Sequence, residues 1–261
     1  RQQGAHSACP EENALGEQIM KAGNLFALLG MMLLSACITT TTGDMKASAS
    51  KEEAARLNMD LGISYLRQGD YEQAIIKLRK SIEEEPNNAT AHRALGLAYE
   101  ELDDDKGAEK EYRIAVRQGP DDADALTQLG SFLCLQGNTS EALALFDRAL
   151  QIPLYPDKAM IYVNAGTCAR SSDPALAEVY LRQALVQQPD YPAALLQMGE
   201  VAYQRGNYLQ ARAFIERFIA ESASTADSLL LAYRIEVAMN DRASARVFAD
   251  QLLRKFPESV E

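Results

Sequence analysis

Alanines recur at Ala74, Ala108, Ala142, Ala177, Ala211 and Ala245, with spacings of 34, 34, 35, 34 and 34 residues. Glycines keep step at Gly62, Gly96, Gly130, Gly166 and Gly199, and prolines follow at Pro86, Pro120, Pro189 and Pro257. Three residue types repeating in phase restrict the chain to a stack of like units. A unit of this length cannot bury its own apolar face. Stacked neighbours bury it jointly and build one continuous core.

Composition sets the outer limits. The chain has 261 residues, 47% of them hydrophobic and 24% charged, which argues against wholesale disorder. Its formal charge is −11, so phosphate would repel it and nucleic acid is excluded as a partner class. The four cysteines, Cys9, Cys37, Cys134 and Cys168, form no Cys-x-x-Cys pair, and zinc-ribbon and thioredoxin-like readings fail.

The period of 34 resembles the tetratricopeptide repeat, TPR. That resemblance implies an all-α superhelix of six helix-turn-helix repeats, over about 55–88, 89–122, 123–156, 158–191, 192–225 and 226–257 within 53–257. Leu61-Gly62, Tyr65, Ala74, Leu78 and Pro86 show the pattern most fully; Leu95-Gly96, Tyr99, Ala108, Tyr112 and Pro120 repeat it. Small Gly and Ala belong where two helices cross. Leu78, Tyr112 and Phe146 fill the space around the crossings, and Leu61 and Tyr65 supply the packing stripe of the first helix. Gly69-Asp70, Gly137-Asn138 and Gly206-Asn207 mark turns inside repeats. Proline ends each second helix because it lacks an N–H and disfavours helix in the residue before it. Repeats four to six depart from the pattern: Gly166 lies one residue nearer its alanine, and Tyr233 stands where the sixth glycine belongs. A degenerate last repeat is expected of a cap.

The N-terminus reads as an address followed by an anchor. From Met20, Lys21 precedes an apolar run, Leu25 to Leu34, and then small residues, the layout of a secretory signal. The run is too short for a spanning helix, which needs roughly 20 apolar residues. Residues 1–19 read as upstream sequence, with a genuine N-terminal extension as the alternative. Residues 20–36 read as the signal peptide. Leu34-Ser35-Ala36-Cys37 resembles the bacterial lipobox, which implies that Cys37 is lipidated. Two acyl chains already give stable anchoring. Residues 37–52 are Thr- and Ser-rich and read as a flexible tether. Ile38 after the cysteine implies, by the same resemblance, the outer membrane and its periplasmic face.

In a TPR the first helix of each repeat, helix A, lines the concave face. Arg56, Met59, Ile63 and Leu66 take those positions in repeat one, Arg93, Leu97 and Glu100 in repeat two, and Thr127, Ser131 and Cys134 in repeat three. Met59, Ile63 and Leu66 form one helical stripe, so an apolar protein-binding groove is expected near the anchored end. Such a groove takes a helix or an extended peptide. Two alternatives stay open: residues 38–57 folding back over the stripe, or ordinary scatter of surface hydrophobics.

Cys134 and Cys168 lie 34 apart, at nearly equivalent heights on neighbouring A helices. In an oxidising compartment they could form a disulfide between repeats three and four, or remain two buried thiols. His92 is expected at the surface or in the groove. No nucleophile elbow, Gly-rich phosphate loop or metal-ligand spacing occurs, so no catalytic residue, cofactor, metal site or small-molecule substrate is expected. Asp103-Asp104-Asp105 reads as a solvated, cap-rich turn, since it lacks the glycine and spaced ligands of a calcium loop.

A lipobox cysteine, a short tether and six TPRs together resemble the PilF/PilW family of type IV pilus lipoproteins. Asn164-Ala165-Gly166-Thr167-Cys168-Ala169, Pro153-Leu154-Tyr155-Pro156 and Phe132-Leu133-Cys134 also look like that family. The resemblance implies a pilotin: a protein that binds the type IV pilus secretin through its TPR surface and promotes its outer-membrane localisation and multimerisation. The runner-up is another periplasmic TPR lipoprotein that scaffolds β-barrel assembly or recruits cell-wall enzymes.

Overall fold

A computed structural model describes residues 41–260, with side chains described over 50–258. The expected upstream segment (1–19), the expected signal peptide (20–36) and Cys37 lie outside the described residues. The chain divides into two units, Arg1–Ala49 and Ser50–Glu261. The repeats lie in the second.

Among the described residues there are twelve α-helices and no strands: α1 (Thr41–Arg67), α2 (Tyr71–Glu84), α3 (Ala89–Glu100), α4 (Asp105–Gln118), α5 (Ala123–Leu135), α6 (Thr139–Leu150), α7 (Lys158–Ala169), α8 (Pro174–Gln187), α9 (Pro192–Gln204), α10 (Tyr208–Glu221), α11 (Ala226–Ala238) and α12 (Arg242–Lys255). A short 3-10 turn, Pro257–Val260, packs on α12. Odd-numbered helices are the A helices and even-numbered ones the B helices. The fold is the all-α TPR solenoid.

Helix starts are chemically marked. Asp70, Asn88, Asp104, Asp122, Asp157, Asp173, Thr225 and Asp241 are N-caps whose side chains accept backbone N–H groups of the first turn. Asp104 is the middle acid of the Asp103–Asp105 turn, so that turn caps a helix. B helices end at Glu84, Gln118 and Gln187, just before Pro86, Pro120 and Pro189.

The turn between A and B has one recurring shape. Gly69, Asp103, Gly137, Gly206 and Asn240 sit at φ between 57° and 79°, in left-handed backbone. The next residue's N–H reaches back to a carbonyl near the end of helix A, as Asp70 does to Tyr65 at 3.0 Å. Repeat four has no such residue. There Asp173 N–H bonds Ala169 O at 2.7 Å, and the turn is one residue shorter. That deletion is the slip of Gly166 toward its alanine.

Each hairpin closes on a small-against-large contact. A Cβ built on Gly62 would lie 2.5 Å from Leu78 Cγ; on Gly96, 2.6 Å from the Tyr112 ring; on Gly130, 2.8 Å from Phe146; on Gly166, 2.7 Å from Leu181. Leu78, Tyr112, Phe146 and Leu181 are fully buried, as are the alanines at 74, 108, 142, 177 and 211. In repeat five the nearest atom to a Cβ on Gly199 is Leu231 Cδ2 of the next repeat, at 3.3 Å.

Two expectations are corrected. The segment 37–52 was expected as a flexible tether, but α1 begins at Thr41. Once the amphipathic stretch from Lys51 onward holds a helical nucleus, backward extension adds a hydrogen bond per residue, and Met45, Lys46, Ala47 and Ala49 favour it. Leu61 was expected in the packing stripe. It is 47% exposed, although Tyr65 does pack against the core.

The glycine contacts yield a graded test. Gly96→Ala should destabilise the fold by about 1–3 kcal/mol, because the Tyr112 ring cannot retreat from a packed core. Thermal unfolding should fall by roughly 3–10 °C. Gly199→Ala should leave it unchanged or raised, since only a side-chain tip is near and Ala favours helix over Gly by ~1 kcal/mol.

Candidate protein-binding surface

The concave positions of repeats one and two do not form the open apolar stripe expected of them. Met59, Ile63 and Leu66 are half-buried and pack against a cluster of Ala74, Leu78, Ala94, Leu95 and Ala98. The small side chains of Ala94 and Ala98 on α3 leave room for them. They form a partly open floor. Arg56 stays exposed and pairs with Glu53 at 3.0 Å, a solvated i, i+3 contact of little energetic weight.

In repeat two Leu97 is half-buried and packs against the central cluster. Glu100 accepts a hydrogen bond from the Tyr112 hydroxyl at 2.5 Å, and Gln128 donates to the same oxygen at 3.3 Å. Burial, then the Glu100 carboxylate, pushes the Tyr112 phenol well above its ordinary range, so it is a permanent donor. Arg93 lies beside this group. Its Nε is buried with no partner, and so is the hydroxyl of Thr127, the equivalent residue of repeat three. Sequence position alone placed Arg93 and Thr127 on this face; their unused hydrogen-bonding capacity is visible only in the structure.

His92 corrects its expectation. It is 5% exposed, neither on the surface nor open to the groove. Its Nδ1 lies 2.6 Å from Glu111 Oε2, and its Nε2 lies 3.0 Å from the Pro86 carbonyl. Both partners are acceptors. Only the doubly protonated ring can donate to both, so the imidazolium form fits the site. Burial alone lowers the pKa, but the Glu111 and Pro86 contacts outweigh it and the net direction is up. Glu111 is held below its usual value: burial opposes this, and the bonds from His92 and Lys110 prevail. The site ties Pro86 of repeat one to α3 and α4.

Cys134 and Cys168 are joined by a disulfide, with Cα atoms 5.7 Å apart. It links α5 of repeat three to α7 of repeat four. Ion pairs cross other repeat boundaries: Arg113 with Glu141 at 2.6 Å, Arg205 with Glu178, and Arg212 with the buried Glu236. The Tyr155 hydroxyl donates to Asp124 at 2.5 Å and the Tyr180 hydroxyl to Asp147 at 2.8 Å.

A second cleft, not anticipated from the sequence, lies between the A helices of repeats four to six. It encloses about 240 Å³, with Leu196, Leu230 and Leu231 as apolar lining and Arg170, Glu200, Asp227 and Arg234 as charged lining. Arg170 donates to Gln197 at 2.9 Å. Among the described residues no group of three His, Cys, Asp or Glu side chains could hold a metal ion, and no helix is long and apolar enough to cross a membrane.

Tetratricopeptide-repeat family models match residues 59–121, 121–185 and 169–232. The chain is therefore a TPR protein, a class built to hold other polypeptides on its helical surfaces. It is 32% identical over 232 residues to the type IV pilus assembly protein PilF of Pseudomonas aeruginosa, a match covering 87% of this chain and 91% of that protein. The crystal structure of PilW, a widely conserved type IV pilus biogenesis factor, superposes with a TM-score of 0.74 at 29% identity, covering 79% of this chain and 95% of the other. The P. aeruginosa PilF structure gives 0.72 at 32% identity, covering 81% and 96%. This chain belongs to the PilF/PilW family of type IV pilus biogenesis proteins.

Two measurements check the buried chemistry. The raised His92 pKa means that its contribution is full below the unfolded value of about 6.5 and is lost as pH rises through the folded value. The lowered Glu111 pKa means that its contribution is lost as pH falls through that value. Thermal stability should therefore decline from mildly acidic toward alkaline pH, and His92→Gln should flatten that limb. Separately, Cys134→Ser with Cys168→Ser should cost about 3 kcal/mol by releasing a 34-residue loop, seen as a fall in Tm on the order of 10 °C.

Proposed function

We propose that this protein is a lipid-anchored pilotin of the outer membrane. Its TPR surface binds the type IV pilus secretin, and outer-membrane sorting of the lipidated Cys37 carries the secretin along and promotes its multimerisation. The observation that carries the reading is the likeness to PilF over nearly the whole chain, with a lipobox cysteine ahead of the repeats. The repeats act as a scaffold and break no bonds. Arg56, Arg93 and Glu100 supply a polar rim near the anchored end, over a floor of Met59, Ile63, Leu66 and Leu97.

Packing decides which substitutions are informative. Asp at Met59 or Ile63 would disturb the core of repeat one, so loss of binding there would report unfolding. Lipidation is the cleaner lever. In cells lacking the protein, the wild-type chain should restore secretin multimers to the outer membrane, while Cys37→Ser should leave them reduced by about tenfold or more. Outer-membrane β-barrel proteins should be unaffected in both strains. Normal secretin multimers in the absence of the protein would overturn the proposal, and a parallel loss of barrel proteins would favour a general scaffold.

A further inference from the structure

The cleft of repeats four to six is built from concave positions of three successive A helices. Leu196 on α9 and Leu230 on α11 hold the same register, three residues before Gly199 and three before Tyr233. Glu200 and Arg234 are likewise matched, one residue after those markers. On each helix the leucine and the charge lie at i and i+4, on one face. Arg170 closes the cleft from the end of α7. Charge at this height is special to the last two repeats. In the first four, the position after the glycine holds Ile63, Leu97, Ser131 and Thr167.

The charges are not answered from within. Elsewhere opposite charges on adjacent repeats close on each other, as Arg113 does on Glu141, Arg205 on Glu178 and Arg212 on Glu236. Glu200 and Arg234 share a register and differ in sign, yet neither forms an ion pair with any described residue. Arg170 gives one N–H to Gln197 and has four others to offer. Asp227 is set apart: it lies in the first turn of α11, where the helix dipole favours an acid. At about 240 Å³ the cleft is smaller than the roughly 300–1,000 Å³ of sites for drug-sized ligands. It suits one large apolar side chain, seated on Leu196, Leu230 and Leu231, with charged neighbours on either side. The stretch 22–40 of this chain carries no charged side chain and cannot answer Glu200 and Arg234.

We infer that this cleft binds an extended segment of a partner polypeptide in which an apolar residue is flanked by an acid and a base. The apolar side chain packs on the leucines. The acid accepts from Arg234 and Arg170, and the base donates to Glu200. Opposite charges held at fixed places select both the sequence and its direction. The inference stands apart from the pilotin reading, because it concerns repeats four to six and holds for any polypeptide with that pattern.

The test uses the full chain and synthetic nine-residue peptides, acetylated and amidated so that only side chains carry charge. Each has a central leucine, with Glu, Lys or Gln two positions before and two after it. In an extended strand those three side chains share a face. Peptides with Glu on one side and Lys on the other should bind about tenfold more tightly than the all-Gln peptide, as one charge-assisted hydrogen bond provides. One order of the two charges should be preferred. Glu200→Gln with Arg234→Gln should erase the difference, with Tm within about 2 °C of wild type. Glu200→Arg with Arg234→Glu should bring it back with the opposite order preferred, which damage to the fold would not do. Equal binding of charged and Gln peptides by the wild-type chain overturns the inference. So does a preference that both variants leave unchanged. A photo-crosslinking residue at Leu230 that, without peptide, joins the chain to its own residues 1–21 or to a second copy also overturns it. The pilotin reading survives each of these results, since its own test is the loss of secretin multimers.

Discussion

A glycine on one helix meeting a large side chain on the next is the contact from which the rest of the molecule follows. Gly62, Gly96, Gly130 and Gly166 each sit within 2.5–2.8 Å, measured from an added Cβ, of Leu78, Tyr112, Phe146 or Leu181. With backbones that close, each hairpin has one register. The register sets which side chains face the next repeat, and stacking then buries them. Dispersion in so dense a contact is lost steeply with small gaps. The fold therefore depends on local fit repeated along a line more than on one large core.

Polar chemistry reinforces the seams. His92 is held between a carboxylate and a carbonyl, Glu236 is buried against Arg212, and Tyr112 is fixed by Glu100 and Gln128. Each costs desolvation, and each is satisfied by partners from a neighbouring helix or repeat. Such groups fix alignment between units, which a purely apolar seam would leave freer to slide. The concave face between them is thereby held in shape before any partner arrives, which lowers the ordering cost of binding.

Much of this was legible in the sequence because a period of 34 is a long-range signal that local noise cannot imitate. The crossings, the A–B turns and the ends of the B helices followed from single residue types with mechanical roles. The short turn of repeat four was visible as the displaced Gly166. Other features were hidden for definite reasons. His92 looked like a groove residue because its partners, Glu111 and Pro86, are set by tertiary contact and leave no mark in helical periodicity. Met59, Ile63 and Leu66 looked open because sequence position gives the face of a helix but not how far a neighbour such as Ala94 lets it sink. Leu61 looked buried because the pattern is that of an interior repeat, while among the described residues no repeat precedes repeat one. The start of α1 at Thr41 was missed because Thr and Ser composition mimics a linker, while helix already formed downstream draws its flank in.

A ladder held together by contacts between adjacent rungs comes apart from its ends. In this ladder the bond between Cys134 and Cys168 clamps the middle. A tear entering from repeat one, or from repeat six, meets a covalent stop before it can cross to the other half. Each half can thus loosen and re-form on its own while the other stays intact, so a load on one end need not dissolve the whole.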